Sequence, residues 1–418
     1  MESNILIKGV LLHDSKQDIL IKGNRIEKIG VDIECSGATL IDGKGKAAIP
    51  GFVNMHTHAA MTLMRGIGED MTLMDWLYNK IWPTEQKLDD ELVYWGTKLA
   101  CLEMLKTGTT CFNDQYWNLD AAVKATSEMG MRSVQPYVIL DLGDNAKWEK
   151  IKRECTEAWE RSREWGVLNK FSVGIHAPYS VSEHMLEWGS NFAKERDLLL
   201  HIHISETEKE NLESIEKHGL TPTAYLDEIG LLNSKVIAAH CLWIDDKDMQ
   251  ILADRNVKVV HNINSNLKIA SGYKFRYKEF KDAGLVVTLG TDGCASSNNL
   301  DMLETMKTTA LVQKGWRGDP RAMPMDELLN LATKNGGISL GLEIGELKEG
   351  SLADISLIDM DNYAFTPNID FYANLIYSAN SSCVDTVICD GKVLMENRYV
   401  NGEEDILWNV NKLFKKLL

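Results

Sequence analysis

Hydrophobic residues recur along this chain in two rhythms, and their order predicts an architecture. Over residues 4–50, short apolar runs such as Ile5-Leu6-Ile7 and Ile19-Leu20-Ile21 are broken by turns like Lys22-Gly23-Asn24, before Arg25-Ile26-Glu27-Lys28-Ile29. Val384-Asp385-Thr386-Val387-Ile388-Cys389, followed by Asp390-Gly391-Lys392-Val393-Leu394, repeats the device. Short β-like runs joined by Gly-containing turns read as hairpins. Between these regions, strand-like runs alternate with helix-length amphipathic segments: Leu88–Lys106, Leu119–Met129, Trp148–Trp165, Ser182–Arg196 and Asp326–Leu340. That alternation builds β-α units and hence a parallel sheet or barrel.

Eight segments fit the strand role: Gly51–His56, Thr109–Asn113, Ser133–Leu140, Phe171–His176, Leu198–Ile204, Val236–His240, Val257–His261 and Val286–Thr291. Eight is the number a (β/α)8 barrel requires. The expected fold is α/β: a TIM-like (β/α)8 barrel over residues 52–346, with a small β-sandwich domain assembled from residues 1–51 and 347–418. A length of 418 residues exceeds one ordinary core, in keeping with a large domain and a satellite.

The chemistry gathers at the C-terminal ends of these strands: His56, His58, His176, His203, His240, His261 and Asp292. A barrel of this kind carries its active site at that end. Any one of them reads equally well as a core residue satisfied by hydrogen bonds; seven on six strands do not. His56 and His58, one residue apart on a strand, share a face. With His203 and Asp292 they offer three neutral nitrogens and one carboxylate oxygen, a set suited to zinc or another borderline divalent metal with room for water. His201 shares a face with His203, and the metal is assigned to His203 because Glu206 follows it three residues later. There a carboxylate can reach the activated water or a substrate, whereas the bland reading of Glu206 is a solvent-facing acid at a helix start. His184 and His218 sit in charged helical surroundings and His13 in the satellite.

Two motifs are decoys. Gly337-Ile338-Ser339-Leu340-Gly341 has the G-x-S-x-G spacing but closes an amphipathic helix, and Gly43-Lys44-Gly45-Lys46-Ala47-Ala48 precedes a strand where a dinucleotide loop needs a helix. The H-x-E and P-C-x-x-C signature of zinc cytidine deaminases is absent. A net charge of −16 argues against nucleic-acid or anionic-membrane partners and leaves a small-molecule substrate. The eight cysteines are scattered without a C-x-x-C pair, as buried thiols in a reducing compartment would be. No apolar run approaches 18 residues and the first residues lack signal-peptide character, so the expected location is cytoplasmic.

These residues resemble the amidohydrolase superfamily in its metal-dependent aminohydrolase branch, the 5'-methylthioadenosine/S-adenosylhomocysteine deaminases in particular. The likeness rests on Pro50-Gly51-Phe52-Val53-Asn54-Met55-His56-Thr57-His58, Met61-Thr62-Leu63-Met64-Arg65-Gly66, Trp82-Pro83-Thr84-Glu85, His176-Ala177-Pro178-Tyr179, His203-Ile204-Ser205-Glu206, Ala238-Ala239-His240-Cys241, Leu289-Gly290-Thr291-Asp292-Gly293 and Gly350-Ser351-Leu352-Ala353-Asp354. It implies one divalent metal per chain, zinc first and iron(II) or another transition ion second, held by His56, His58, His203 and Asp292. It further implies Glu206 as the acid that moves a proton to the substrate ring, His240 as the group that steers water, and Asp292 as the acceptor of the water's proton. His176 and Glu85 match substrate-binding positions, Glu85 on the ribose hydroxyls. The implied reaction turns an adenine nucleoside into its inosine analogue and ammonia, in a chain that is monomeric or a homo-oligomer. The alternatives are an aminohydrolase or chlorohydrolase of a free heterocycle (guanine, pterin or triazine) and a catalytically silent nucleoside-binding barrel. Two departures stand out. Tyr137 occupies the place expected for an arginine that binds the substrate's far end, with Lys147 the nearest substitute, and Ile263 replaces a proline after His261-Asn262.

Overall fold

The computed structural model describes residues 4–417. The chain opens with five strands, β1 (Asn4–Leu12), β2 (Ser15–Lys22), β3 (Arg25–Gly30), β4 (Thr39–Asp42) and β5 (Lys46–Pro50). Eight more follow, each separated from the next by helix: β6 (Phe52–Thr57), β7 (Thr109–Asp114), β8 (Arg132–Ile139), β9 (Asn169–Ile175), β10 (Leu200–Ile204), β11 (Val236–His240), β12 (Lys258–His261) and β13 (Val287–Leu289). The last four are β14 (Ile355–Asp359), β15 (Val384–Cys389), β16 (Lys392–Glu396) and β17 (Tyr399–Val400).

β6 to β13 pair in parallel and in sequence order, the nearly closed barrel expected. Both faces of these strands are covered, so burial does not alternate along them: every residue of β7, β10 and β11 is buried, the polar ones included. The seam between β13 and β6 closes through the residues just past β13. The amides of Thr291 and Asp292 donate to the His56 carbonyl (3.1 and 2.9 Å), and the Asn54 amide side chain donates to Thr291 Oγ1 (2.7 Å). Gly290 is needed there, since a Cβ would stand 2.4 Å from Asn262 Oδ1 and 2.8 Å from His56 Cβ. Barrel closure therefore presses Asp292 against the histidines of β6.

The terminal strands join in one nine-stranded mixed sheet, order β17-β16-β15-β14-β5-β1-β2-β3 with β4 beside β1. Residues from both ends of the chain, Ile5, Ile19, Ile26, Ile41, Ile355, Leu357 and Ile388 among them, share one apolar core. The expected single helix Asp326–Leu340 is two, Met325–Ala332 and Lys334–Leu340, broken at Thr333 (φ −135°, ψ −87°). The break lets Gly336 lie against Val53 of β6, where a Cβ would be only 2.6 Å away. All eight cysteines are unpaired, and among the described residues no helix is long and apolar enough to cross a membrane.

Candidate active site

The strand-end residues converge. His56, on β6, and His58, just past it, point their Nε2 atoms at the same oxygen, Asp292 Oδ1, at 3.3 and 3.1 Å. His203, at the end of β10, brings its ring centroid within 4.9 Å of His56 and 5.5 Å of His58. One ligand atom from each of His56, His58 and His203 lies within 4.8 Å of the others, and so it is for His56, His240 and Asp292. The predicted ligands occupy one buried spot.

Their other ring nitrogens fix the tautomers. His58 Nδ1 donates to the Gln115 carbonyl (2.6 Å) and His203 Nδ1 to the His176 carbonyl (2.5 Å), which leaves each Nε2 a bare lone pair. His56 Nδ1 meets His201 Nε2 at 3.0 Å, and its own Nε2 is buried without a hydrogen-bond partner. Burial alone would raise the Asp292 carboxyl; positive charge at the His56 and His58 Nε2 positions, whether protons there or a metal ion in their place, outweighs burial and holds Asp292 well below the usual carboxylate range. Burial pulls His203 well below its ordinary value, with His56 and His176 adding to the effect. Lone pairs and an ionised carboxylate converging in a dry spot are a donor set short of a cation, and a divalent metal ion fits it.

Beside this cluster a cleft of about 670 Å³, open mouth included, is lined by His58, His176, His203, Glu206, His240 and Asp292 on the strand-end side. Leu73, Trp76, Leu77, Ile81, Trp82 and Glu85, from the segment after β6, form a second side, and Tyr116, Trp117, Val138, Tyr179 and Ile269 are among the residues between the two. Glu206 is buried, and burial, reinforced by Asp292 and Glu210, pushes its carboxyl well above the ordinary value. His240 Nε2 stands 3.8 Å from Glu206 Oε2. The Asn266 amide donates to His240 Nδ1 (3.1 Å), so the Nε2 facing the cleft carries the proton. Burial lowers His240 to about 3, so the ring stays neutral. His176, lowered to about 4 by burial, pairs its Nδ1 with Ser180 Oγ (2.7 Å). Burial raises Glu85 to about 7, against the pull of His58, Tyr116 and Trp117.

Several expectations need correction or completion. Tyr137 does not stand at the cleft: strand alternation turns it outward, where its hydroxyl donates to Glu154 Oε2 (3.0 Å), and Val138 takes the inward place. Lys147 is turned to the Asp141 carbonyl (3.3 Å). No lysine or arginine lines the cleft. Ile263 is the first residue of the helix Ile263–Lys268, a position that suits proline and isoleucine alike, so its substitution is neutral to the backbone. His201 is fully buried behind His56, and His261 stacks on Phe275 at 3.9 Å away from the cleft. Sequence reasoning missed Ser265, whose hydroxyl donates to Asp292 Oδ2 (2.6 Å), and the aromatic wall of Trp76, Trp82, Tyr116 and Trp117. These lie on loops and short helices, where no periodicity marks them.

Comparison with known proteins agrees with this geometry. Residues 47–394 match the Amidohydrolase family. The chain belongs to that family. It is 45% identical over 414 residues to the 5'-deoxyadenosine deaminase of Methanoregula boonei, covering 97% of this chain and 93% of that one. It is 42% identical to 5-methylthioadenosine/S-adenosylhomocysteine deaminase 1 of Archaeoglobus fulgidus over 99% of both chains. Among solved structures, an adenosine deaminase from Xanthomonas campestris with bound zinc superposes with a TM-score of 0.93 at 30% identity, over 100% of this chain and 98% of that one.

Proposed function

We propose that this amidohydrolase is a zinc-dependent hydrolytic deaminase of adenine nucleosides whose 5' end is small and uncharged. The observation that carries the reading is the buried Glu206, its carboxyl pushed up toward the protonated form, facing a metal-competent His56-His58-His203-Asp292 cluster across one cleft. Three imidazoles and a carboxylate favour zinc among common divalent ions. When bound, the ion lowers the pKa of water from 15.7 to about 7 and so supplies a nucleophile at neutral pH.

The side chains do the rest. His240 donates a hydrogen bond from Nε2–H to the attacking water, keeping its proton, and aims the water at C6 of the purine. Asp292, ionised, accepts the water's proton. Glu206 delivers its proton to N1, so the charge that builds on the ring as C6 becomes tetrahedral is neutralised where it appears. As the C6–N bond breaks, the proton on Asp292 leaves with ammonia. The adduct's hydroxyl proton restores Glu206 as the carbonyl forms. Glu85 accepts from the ribose hydroxyls and His176 bounds the sugar side.

Leu73, Trp76, Leu77, Ile81, Trp82 and Val138 offer apolar contact to a 5'-methyl or 5'-methylthio group. A zwitterionic amino-acid tail finds no lysine or arginine for its carboxylate on the lining, which carries the acids Glu85, Glu206 and Asp292 instead. A missing charge-assisted contact costs about 1.5–3 kcal/mol, roughly 10–150-fold in affinity. The free-heterocycle alternative leaves the half-buried Glu85 without a diol to bind, and the silent-barrel alternative needs a gap in the ligand or acid set, and no predicted member of that set is missing. Ammonia release should be compared for 5'-deoxyadenosine, 5'-methylthioadenosine, adenosine and S-adenosylhomocysteine on one zinc-loaded preparation. We expect the first three to exceed the last in kcat/KM by tenfold or more. S-adenosylhomocysteine ahead by tenfold would overturn the specificity, and silence toward all four the nucleoside reading.

A further inference from the structure

The bend that presents Glu206 is strained and has its own buried support. β10 ends at Ile204, and Ser205 then turns to φ +51°, a left-handed conformation uncommon for serine. Its carbonyl is held by the amides of Leu242 and Trp243 (3.0 Å each), just past β11. Its amide, and that of Glu206, both point at Glu210 in the first turn of the helix Glu208–His218. Thr207 caps that helix by accepting from the Glu210 amide (3.1 Å). In the usual T-x-x-E arrangement, the glutamate reaches back to the amide of the capping residue. Glu210 reaches further: Oε1 accepts from Ser205 N–H (2.9 Å) and Oε2 from Glu206 N–H (2.8 Å).

This carboxylate is only 6% exposed and, among the described residues, forms no ion pair. Burying an acid without a cation is costly, and helix capping alone does not require it, because a surface acid would serve the same end. We propose that Glu210 is a positioning residue: its two oxygens clamp the Ser205 and Glu206 amides and hold the left-handed bend that aims Glu206 at the substrate ring. The inference rests on the reading of Glu206 as proton donor and extends it to the group that keeps Glu206 in register.

The test is Glu210→Gln, which keeps the shape but turns one accepting oxygen into an NH₂ group facing an N–H. A carboxyl displaced by about an ångström loses on the order of 10²-fold in rate, so kcat should fall roughly 10–100-fold. KM should stay within about threefold, with metal content unchanged. Thr207→Ala, which removes only the helix cap, should lower the melting temperature and leave kcat within about twofold. Ser205→Gly in the Glu210→Gln background should recover at least about threefold in kcat, because glycine takes φ +51° without strain. The same double variant serves if Glu210→Gln alone accumulates poorly. The clamp is overturned if Glu210→Gln turns over within threefold of wild type, if Thr207→Ala loses as much, if the glycine gives no recovery, or if the loss lies in KM or metal content. Glu206→Gln separates the two readings: it should retain the metal and lose at least about 10²-fold in turnover. Near-normal Glu206→Gln activity sinks the donor assignment itself, whereas an inactive Glu206→Gln beside a normal Glu210→Gln sinks only the clamp.

Discussion

The barrel buries charge at both ends and treats it in opposite ways. At the end where the strands begin, Arg132 opens β8 and sets its guanidinium on Asp354, with Nε at 3.1 and 3.0 Å from the two oxygens, and on Asp390. Asp354 also accepts the Asp390 amide (2.9 Å). Arg132 and Asp354 are 4% and 2% exposed, and their charges are matched. At the end where the strands finish, Asp292 is almost as buried, yet it faces imidazole lone pairs and no cation. The first cluster is complete and ties β8 to the terminal sheet; the second is complete only with a ligand. This follows the division of labour in such barrels, where the starting face serves stability and the finishing face chemistry.

The comparison breaks most visibly if the finishing end holds no metal. Protein purified without chelator should contain about one equivalent of divalent ion, since three histidines and one aspartate make one site. Replacing His56 and His58 together with alanine should abolish both metal and turnover. Chelation of the wild-type protein should lower its melting temperature, because an ion bound only to the folded state stabilises that state. A stoichiometry near two, or metal retained by the double variant, would sink the single-site assignment.

At the starting end the expected effect is on stability. Arg132→Met leaves the buried Asp354 without its cation, which costs about 3–5 kcal/mol when one partner of a buried pair is removed. Denaturant unfolding of metal-loaded protein should show that loss, while kcat per folded molecule stays within about twofold. A variant equally stable but slow would show that the two ends are coupled and that the contrast between them is wrong.

What the sequence revealed depended on periodicity. The βα alternation announced the barrel because short strand-like runs such as Val236–His240 recur between helices with a 3.6-residue stripe such as Trp148–Ser162. His56, His58, His203, His240 and Asp292 were legible because they end such runs. Where a decision turned on a single residue of register, spacing was too coarse: Tyr137 and Val138 are neighbours, and a one-place slip moves a side chain to the opposite face. His201 and His203 share a face, and only depth separates them, His201 lying behind His56 and His203 at the cleft. The Thr333 break answers a close approach between Gly336 and Val53, far apart in sequence. Glu210 looks like any first-turn acid until its oxygens are seen on the Ser205 and Glu206 amides.

A third buried carboxylate sharpens the comparison, because it has neither cation nor metal-ligand company. Asp248, in the helix Asp246–Asp254, is 1% exposed; the Thr221 hydroxyl donates to Oδ1, and Oδ2 has no partner. Burial, which outweighs the Thr221 hydrogen bond and is reinforced by Asp245, raises its carboxyl to about 6. The sign follows directly. Between the ordinary aspartate value of 3.8 and about 6, the folded state binds more of this proton than the unfolded state does. Its contribution to stability is therefore fully present below pH 4 and is lost as pH rises through about 6. Asp248→Asn removes the titration and keeps a hydrogen-bonding side chain of similar shape. Relative to wild type, this variant should gain in melting temperature between pH 4.5 and pH 7.5, by a small margin because side-chain solvation softens the penalty. Melting curves at those two pH values check it. A difference that is the same at both would mean that Asp248 stays ionised throughout, and that a buried carboxylate in this fold needs no cation to keep its charge.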